Sequence, residues 1–225
     1  MFLVFLVCRT VDITTDGDGL VGHMPLSRLQ TLDAAYWYTE DGGFTYPLRD
    51  TGITIPTFEE VLDEFEHNDK LVYFLDFKSA DAVEPALRMV AERSLEKRVI
   101  LGSVFPSVNR ELFLYRHPSS PTVADAATML KLILLYAVGL MWLYPIKHQV
   151  LGGIVMKRTR WIMTERFLRT LRLTGCKVAV FGHDVNSEED IQFFMDIGVQ
   201  MIVTDSPNVM RRLLDINKEM QPPSS

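Results

Sequence analysis

Short apolar runs alternate with helical stretches along almost the whole 225-residue chain, and this alternation limits its possible folds more than any other feature. LVYFLDFK at 71–78, VILGSV at 99–104, PTVADA at 121–126, GIVMK at 153–157, VAVFG at 178–182 and MIVTD at 201–205 read as strands. Helical patterns fall between them, at about 82–96, 109–116, 164–173 and 208–217. The runs are mostly apolar on both faces, which predicts a parallel sheet covered on both sides. Six such units in succession favour a (β/α) barrel over an open sheet. The start, MFLVFLVC, has no cationic flank and only eight residues before Arg9, too few for a leader or a span; it reads as a buried strand.

Local punctuation supports the same reading. Thr57 stands three residues before Glu60, and Ser187 three before Asp190, the spacing of a helix-capping box. Gly175 is placed as the stop signal of the helix before it. No glycine-rich phosphate loop follows any strand, which argues against a nucleotide or dinucleotide binder. A formal net charge of -6 argues against a general nucleic-acid binder, which needs a positive field along the phosphate track. Two cysteines, Cys8 and Cys176, make neither a disulfide framework nor a thiolate zinc site. One domain over 1–218 is expected, with an apolar insert at about 129–146 and a disordered tail over 219–225.

That insert contains LILLYAVGLMWLYP at 132–145, fourteen residues without a charge and short of the roughly 20 a spanning helix needs. It reads either as a core helix or as a segment that dips into one leaflet, with Tyr136, Trp142 and Tyr144 suited to the headgroup level. Between Ile146 and Lys177 there are eight Lys and Arg against one acid, Glu165. A basic patch beside an apolar, aromatic-rich insert suits an anionic bilayer surface, although a solvated helix face gives the same count.

In a (β/α) barrel, functional side chains emerge at the C-terminal ends of strands. The candidates are Asp76 and Lys78, Ser103, Asp125, Lys157, His183 and Asp205. Asp76 and Lys78 lie two apart on one strand and point to the same side of the sheet. A carboxylate beside an ammonium makes a hard-cation ligand next to a phosphate-binding charge; the plainer alternative is a buried ion pair at a strand end.

Five segments, IPTFEEVL at 55–62, LDFK at 75–78, DVNSEED at 184–190, GVQMIVTDSP at 198–207, and TTDGDGLV at 14–21 leading to LDAAYW at 32–37, carry a resemblance. Taken in chain order they resemble the motifs of the glycerophosphodiester phosphodiesterases, from about Arg9 to Leu214. The insert is similar to that of the membrane-associated, lysophospholipase D-like branch. The resemblance implies a TIM-type (β/α) barrel of the phospholipase C-like phosphodiesterase kind. It implies a metal-dependent phosphoric diester hydrolase acting on glycerophosphodiesters or lysophospholipids, with Mg2+ or Ca2+ as cofactor. It further implies association with a membrane surface inside the cell, at the cytoplasmic face or the endoplasmic reticulum. On this basis Asp76 takes the place of a metal ligand and Lys78 that of the phosphate-binding lysine.

The front of the chain departs from the family pattern. No His-Arg-Gly and no Glu-x-Asp precede the matching region, and Val7-Cys8 stand where the family has His-Asp, so no catalytic residue is assigned. A rival alignment makes Asp12 the metal-binding acid and His23 the catalytic histidine. His183 falls near the position where the family often has Trp. Six strands, or seven with Phe2–Val7, fall short of the eight of a closed barrel. The expectation is therefore an opened sheet, self-association through unpaired edges, or a chain that extends upstream of Met1. A catalytically inactive relative that binds phospholipid headgroups is the alternative function, and an unrelated (β/α) enzyme the third.

Overall fold

In the computed structural model, residues 2–6, 9–39, 41–124, 126–144, 150–154, 164–173, 175–182 and 185–220 are described. The chain divides into two compact units, Met1–Ser120 and Pro121–Ser225.

The first unit is built on a parallel sheet of β1 (Phe2–Leu6), β2 (Val72–Asp76) and β3 (Val99–Gly102), in that order. Leu6 lies opposite Asp76 and Asp76 opposite Gly102, so the three strands end level with one another. The short α1 (Leu26–Leu29) and α2 (Phe58–Phe65) precede β2, α3 (Val83–Glu92) precedes β3, and α4 (Pro106–Tyr115) follows it. Thr57 starts α2 through a complete capping box: its hydroxyl accepts from the Glu60 amide at 3.1 Å, and its own amide donates to the Glu60 carboxylate at 2.7 Å. Val83, Leu87 and Val90 give α3 one apolar stripe at i, i+4 and i+7. These residues meet Tyr73 and Leu75 from one face of β2 and Phe77 just past its end, with Val61, Leu62, Val99 and Leu101, in a single core. Each such side chain contributes roughly 1.5–3 kcal/mol when fully buried. Arg98 closes the end of α2 by donating to the carbonyls of Glu66, Asn68 and Leu71, at 2.7, 2.6 and 3.1 Å. A cation there also complements the negative end of the helix dipole.

The second unit has its own parallel sheet, β4 (Val150–Ile154), β5 (Lys177–Phe181) and β6 (Met201–Ile202). Its helices are α5 (Ala126–Ala137), α6 (Glu165–Arg172), α7 (Glu188–Asp196) and α8 (Pro207–Met220). The core joins Leu132, Leu151, Phe167, Leu168, Leu171, Val178, Val180 and Phe194. Thr164 caps α6 by accepting from the Phe167 amide at 3.2 Å, and Gly175, at φ 81°, ends the turn after it as expected.

Two strand expectations shift. PTVADA forms no full strand: Val123 makes one parallel bridge to Val150, because Pro121 cannot donate and α5 already begins at Ala126. GIVMK starts too late, since β4 begins at Val150, and residues 155–157 lie outside those described. Gly152 makes the close approach of β4 possible: a Cβ there would lie 2.6 Å from Val123 Cγ1 and 3.0 Å from Phe181 Cε1. Repeated parallel β/α units in both bodies are what the alternation predicts. Among the described residues no helix is long and apolar enough to cross a membrane.

Candidate active site

Because β1, β2 and β3 end level, the residues that follow them collect at one edge of the first unit. A cavity of about 920 Å³ lies there, lined by Arg9, His23, Asp76 and Lys78 and by an apolar wall that includes Leu20, Leu26, Phe58 and Met89. Asp76 is the last residue of β2, and two residues on, Lys78 places its Nζ 2.5 Å from Asp76 Oδ2. Their side chains are only 15% and 19% exposed. The pair is the largely buried ion pair of the plainer reading, and both residues line the cavity. An ammonium has three donors, and Asp76 engages one of them.

His23 reaches the cavity by a local fold. Thr10 makes an antiparallel bridge with Leu20, and the Val21 amide donates to the Arg9 carbonyl at 2.9 Å. The 3-10 turn Val21–His23 then carries the imidazole to the wall of the same cavity that Arg9 lines. Asp12, paired with His23 in the rival alignment, is exposed and does not line the cavity. The structure therefore separates those two residues.

Arg9 carried no signal of its own in the sequence. Its guanidinium carbon sits 5.4 Å from the centre of the Phe105 ring. Phe105 is held by Ser103, whose Oγ accepts from the Phe105 amide at 3.1 Å and donates to the Phe77 carbonyl at 2.6 Å. Asn109 Nδ2 donates to the Ser103 carbonyl at 3.0 Å. Ser103, a candidate by its place after a strand, thus shapes the turn and does not line the cavity.

Asp76 was expected to bind a divalent metal. Among the described residues no three His, Cys, Asp or Glu side chains come together to hold a cation, and the Asp76 carboxylate faces Lys78. Among the described residues, Asp76 therefore has no further donors beside it to complete a cation site. Asp125, Lys157, His183, Val7 and Cys8 lie outside the described residues. In the second unit, Asn186 joins its helix start to the end of β6: its Oδ1 accepts from Thr204 Oγ1 at 2.9 Å and from the Asp205 amide at 2.8 Å. Its Nδ2 donates to Asp205 Oδ2 at 2.9 Å. Two of the quoted motifs are therefore a structural clasp.

The segment over 14–37 is another clasp. A Cβ on Gly17 would lie 2.8 Å from buried Leu32, the Asp33 amide donates to Asp16 Oδ1 at 2.8 Å, and Trp37 Nε1 donates to the Thr15 carbonyl at 3.0 Å. The residues that looked most like a family signature hold the loop that brings His23 and Arg9 to the cavity.

Known proteins resemble this chain in sequence and in fold. A model of the glycerophosphoryl diester phosphodiesterase family matches residues 8–209. A glycerophosphodiester phosphodiesterase of Caldanaerobacter subterraneus subsp. tengcongensis is 27% identical over 232 residues, covering 94% of this chain and 80% of that protein. The glycerophosphoryl diester phosphodiesterase domain of a Mycobacterium tuberculosis protein superposes with a TM-score of 0.77 at 18% identity, over 95% of this chain and 87% of that one. An Oleispira antarctica phosphodiesterase, solved with its product sn-glycerol-3-phosphate, superposes with a TM-score of 0.62 at 18% identity, over 93% and 78%. The fold is of the TIM-type (β/α) barrel class, as the strand alternation predicted. With the family model matching nearly its whole length, this chain belongs to the glycerophosphoryl diester phosphodiesterase family.

Proposed function

We propose that this chain is a phosphoric diester hydrolase for glycerophosphodiesters or lysophospholipids, with its site in the cavity at the ends of β1, β2 and β3. One observation carries the reading: Lys78, Arg9 and His23 line a single cavity with an apolar wall. Two cations suit the anionic phosphodiester, and the wall suits the aliphatic part of a lipid-like substrate. The product in the Oleispira antarctica relative supports a glycerophosphate as the group bound. In the reaction a water oxygen bonds to phosphorus while the bond from phosphorus to the alcohol oxygen breaks. The proton lost by the water ends on the departing alcohol, and an imidazole is the side chain best able to carry it near neutral pH. His23 has that role, Lys78 and Arg9 offset the charge that builds on the phosphoryl oxygens, and Asp76 holds Lys78 in place.

A second reading is favoured by Val7-Cys8, which stand where the family has His-Asp. On that reading the chain is a catalytically inactive relative that binds phospholipid headgroups in the same cavity. Incubation with glycerophosphocholine and with lysophosphatidylcholine, with and without added Mg2+ or Ca2+, separates the two when paired with calorimetry on sn-glycerol-3-phosphate. Release of choline or glycerophosphate supports the hydrolase. Binding without release supports the inactive relative, and neither result would leave the cavity without the function assigned to it.

A further inference from the structure

The proposed chemistry uses the ends of β1, β2 and β3 and leaves the region where β3 begins unassigned. There the first unit holds a second cavity, of about 250 Å³, lined from α3, from the end of α4 and from the 3-10 turn Glu96–Arg98 that leads into β3. Leu87, Val90 and Ala91 give it an apolar side, and Arg116, His117 and Glu96 a polar one. Arg116 follows the last residue of α4, and its guanidinium carbon lies 5.2 Å from the centre of the Phe113 ring. Its Nε is buried and, among the described residues, has no hydrogen-bond partner. No described acid forms an ion pair with its charge. A water would satisfy the hydrogen bond and leave the charge without a counter-ion, whereas an anion supplies both. His117 adds a donor beside it. The Ser119 amide donates to its Nδ1 at 3.2 Å, so the neutral imidazole carries its proton on Nε2. Ser120 Oγ donates to the Glu96 carbonyl at 2.9 Å and ties the chain after α4 to the turn before β3.

We propose that this cavity binds a small organic anion, a carboxylate or a phosphate monoester, that also carries a hydroxyl or ammonium group. The anionic end pairs with the Arg116 guanidinium and with Nε2–H of His117. The hydroxyl or ammonium end donates to the Glu96 carboxylate, which among the described residues has no cation paired with it. A ligand without that second group would meet Glu96 as a like charge. The cavity is smaller than the roughly 300–1,000 Å³ of pockets for drug-sized ligands, so its occupant is a small molecule. The site shares no lining residue with the cavity that holds Asp76 and Lys78, and it is independent of whether that cavity hydrolyses a phosphodiester.

The test follows the Arg116 Nε–H signal by heteronuclear NMR in the full chain carrying Lys78→Ala, which removes the phosphate partner assigned to the first cavity. The probes are sn-glycerol-3-phosphate and lactate, with sodium chloride as the control for ionic strength. At least one probe is expected to shift the signal saturably where chloride does not. Saturation by glycerophosphate alone makes the ligand a phosphate monoester, and saturation by lactate alone makes it a carboxylate. In calorimetry Arg116→Ala should weaken binding of that probe at least tenfold. Arg116→Lys keeps the charge and the aliphatic stem but lacks Nε; it identifies the signal and should still weaken binding several-fold, so the outcome does not rest on the alanine variant folding. The proposal is overturned if neither probe shifts the signal beyond the chloride control, or if the shift grows without saturating. It is also overturned if the Arg116 variants bind the probe as tightly as the parent.

Discussion

The Lys78 ammonium sits 2.5 Å from the Asp76 carboxylate, and both side chains are more than four-fifths buried where β2 meets the cavity. A buried ammonium needs a counter-charge, and Asp76 supplies one from the end of β2, two residues earlier. Asp76→Asn keeps the shape and removes the charge, so it should lower stability by roughly 1–3 kcal/mol. Phosphate should recover part of that loss by pairing with Lys78, which thermal melts with and without phosphate would read. Lys78→Ala should weaken sn-glycerol-3-phosphate binding by about 1.5–3 kcal/mol in calorimetry. Equal affinity in both proteins would remove Lys78 from the site.

His23 is exposed at the cavity wall, so its truncation should leave the fold intact. His23→Ala is expected to lower turnover of glycerophosphocholine by about 10²–10⁴ while glycerophosphate binding changes little. Arg9→Ala should act mainly on KM. A loss of binding in His23→Ala equal to the loss of turnover would make the imidazole a binding group only.

Tyr73 is 1% exposed, and among the described residues its hydroxyl has no hydrogen-bond partner. Burial pushes the phenol up from its ordinary value, with the nearby Arg98 charge pulling the other way. Tyr73→Phe removes an unsatisfied polar atom at nearly constant shape. It should be neutral or stabilising by up to about 1 kcal/mol in urea unfolding, and a clear loss would reveal a partner for the hydroxyl.

Asp41 organises the loop over 39–45. Hydrogen bonds from the Thr45 hydroxyl and amide, the Thr39 hydroxyl and the Phe44 amide hold its carboxyl well below the usual carboxylate range. A lowered folded value means that the loop is supported above about pH 4, the ordinary carboxylate value, and loses that support as pH falls further toward the folded value. Amide resonances of Phe44 and Thr45 should shift together on acidification below pH 4, and Asp41→Asn should abolish the transition.

Helix starts and stops were legible because they depend on neighbours in the chain: Thr57 with Glu60, Ser187 with Asp190, Gly175 after α6. The pair Asp76–Lys78 was legible for the same reason, since the two residues are only two apart in the chain, where β2 ends. PTVADA misled because strand formation depends on a partner and on where the next helix begins. Arg9 was invisible because its place comes from the Phe105 ring, almost a hundred residues away, and from a bridge between Thr10 and Leu20. His23 was a doubtful candidate until that bridge brought it to the cavity without Asp12.

The family signatures show the same division. TTDGDG, LDAAYW, DVN and VTDSP carried the resemblance, and the structure uses residues of them to clasp loops: Gly17 against Leu32, Trp37 to Thr15, Asn186 to Thr204 and Asp205. By itself the sequence determined the parallel β/α alternation, the helix caps and the strand that ends at Asp76 just before Lys78, because periodicity and short-range hydrogen bonds are written in neighbouring residues. Only the tertiary structure decided that Arg9 and His23 join that pair, and that α5 turns an apolar stripe to solvent. Those outcomes depend on strand register and on which helix face finds a partner, and both are settled between residues far apart in the chain.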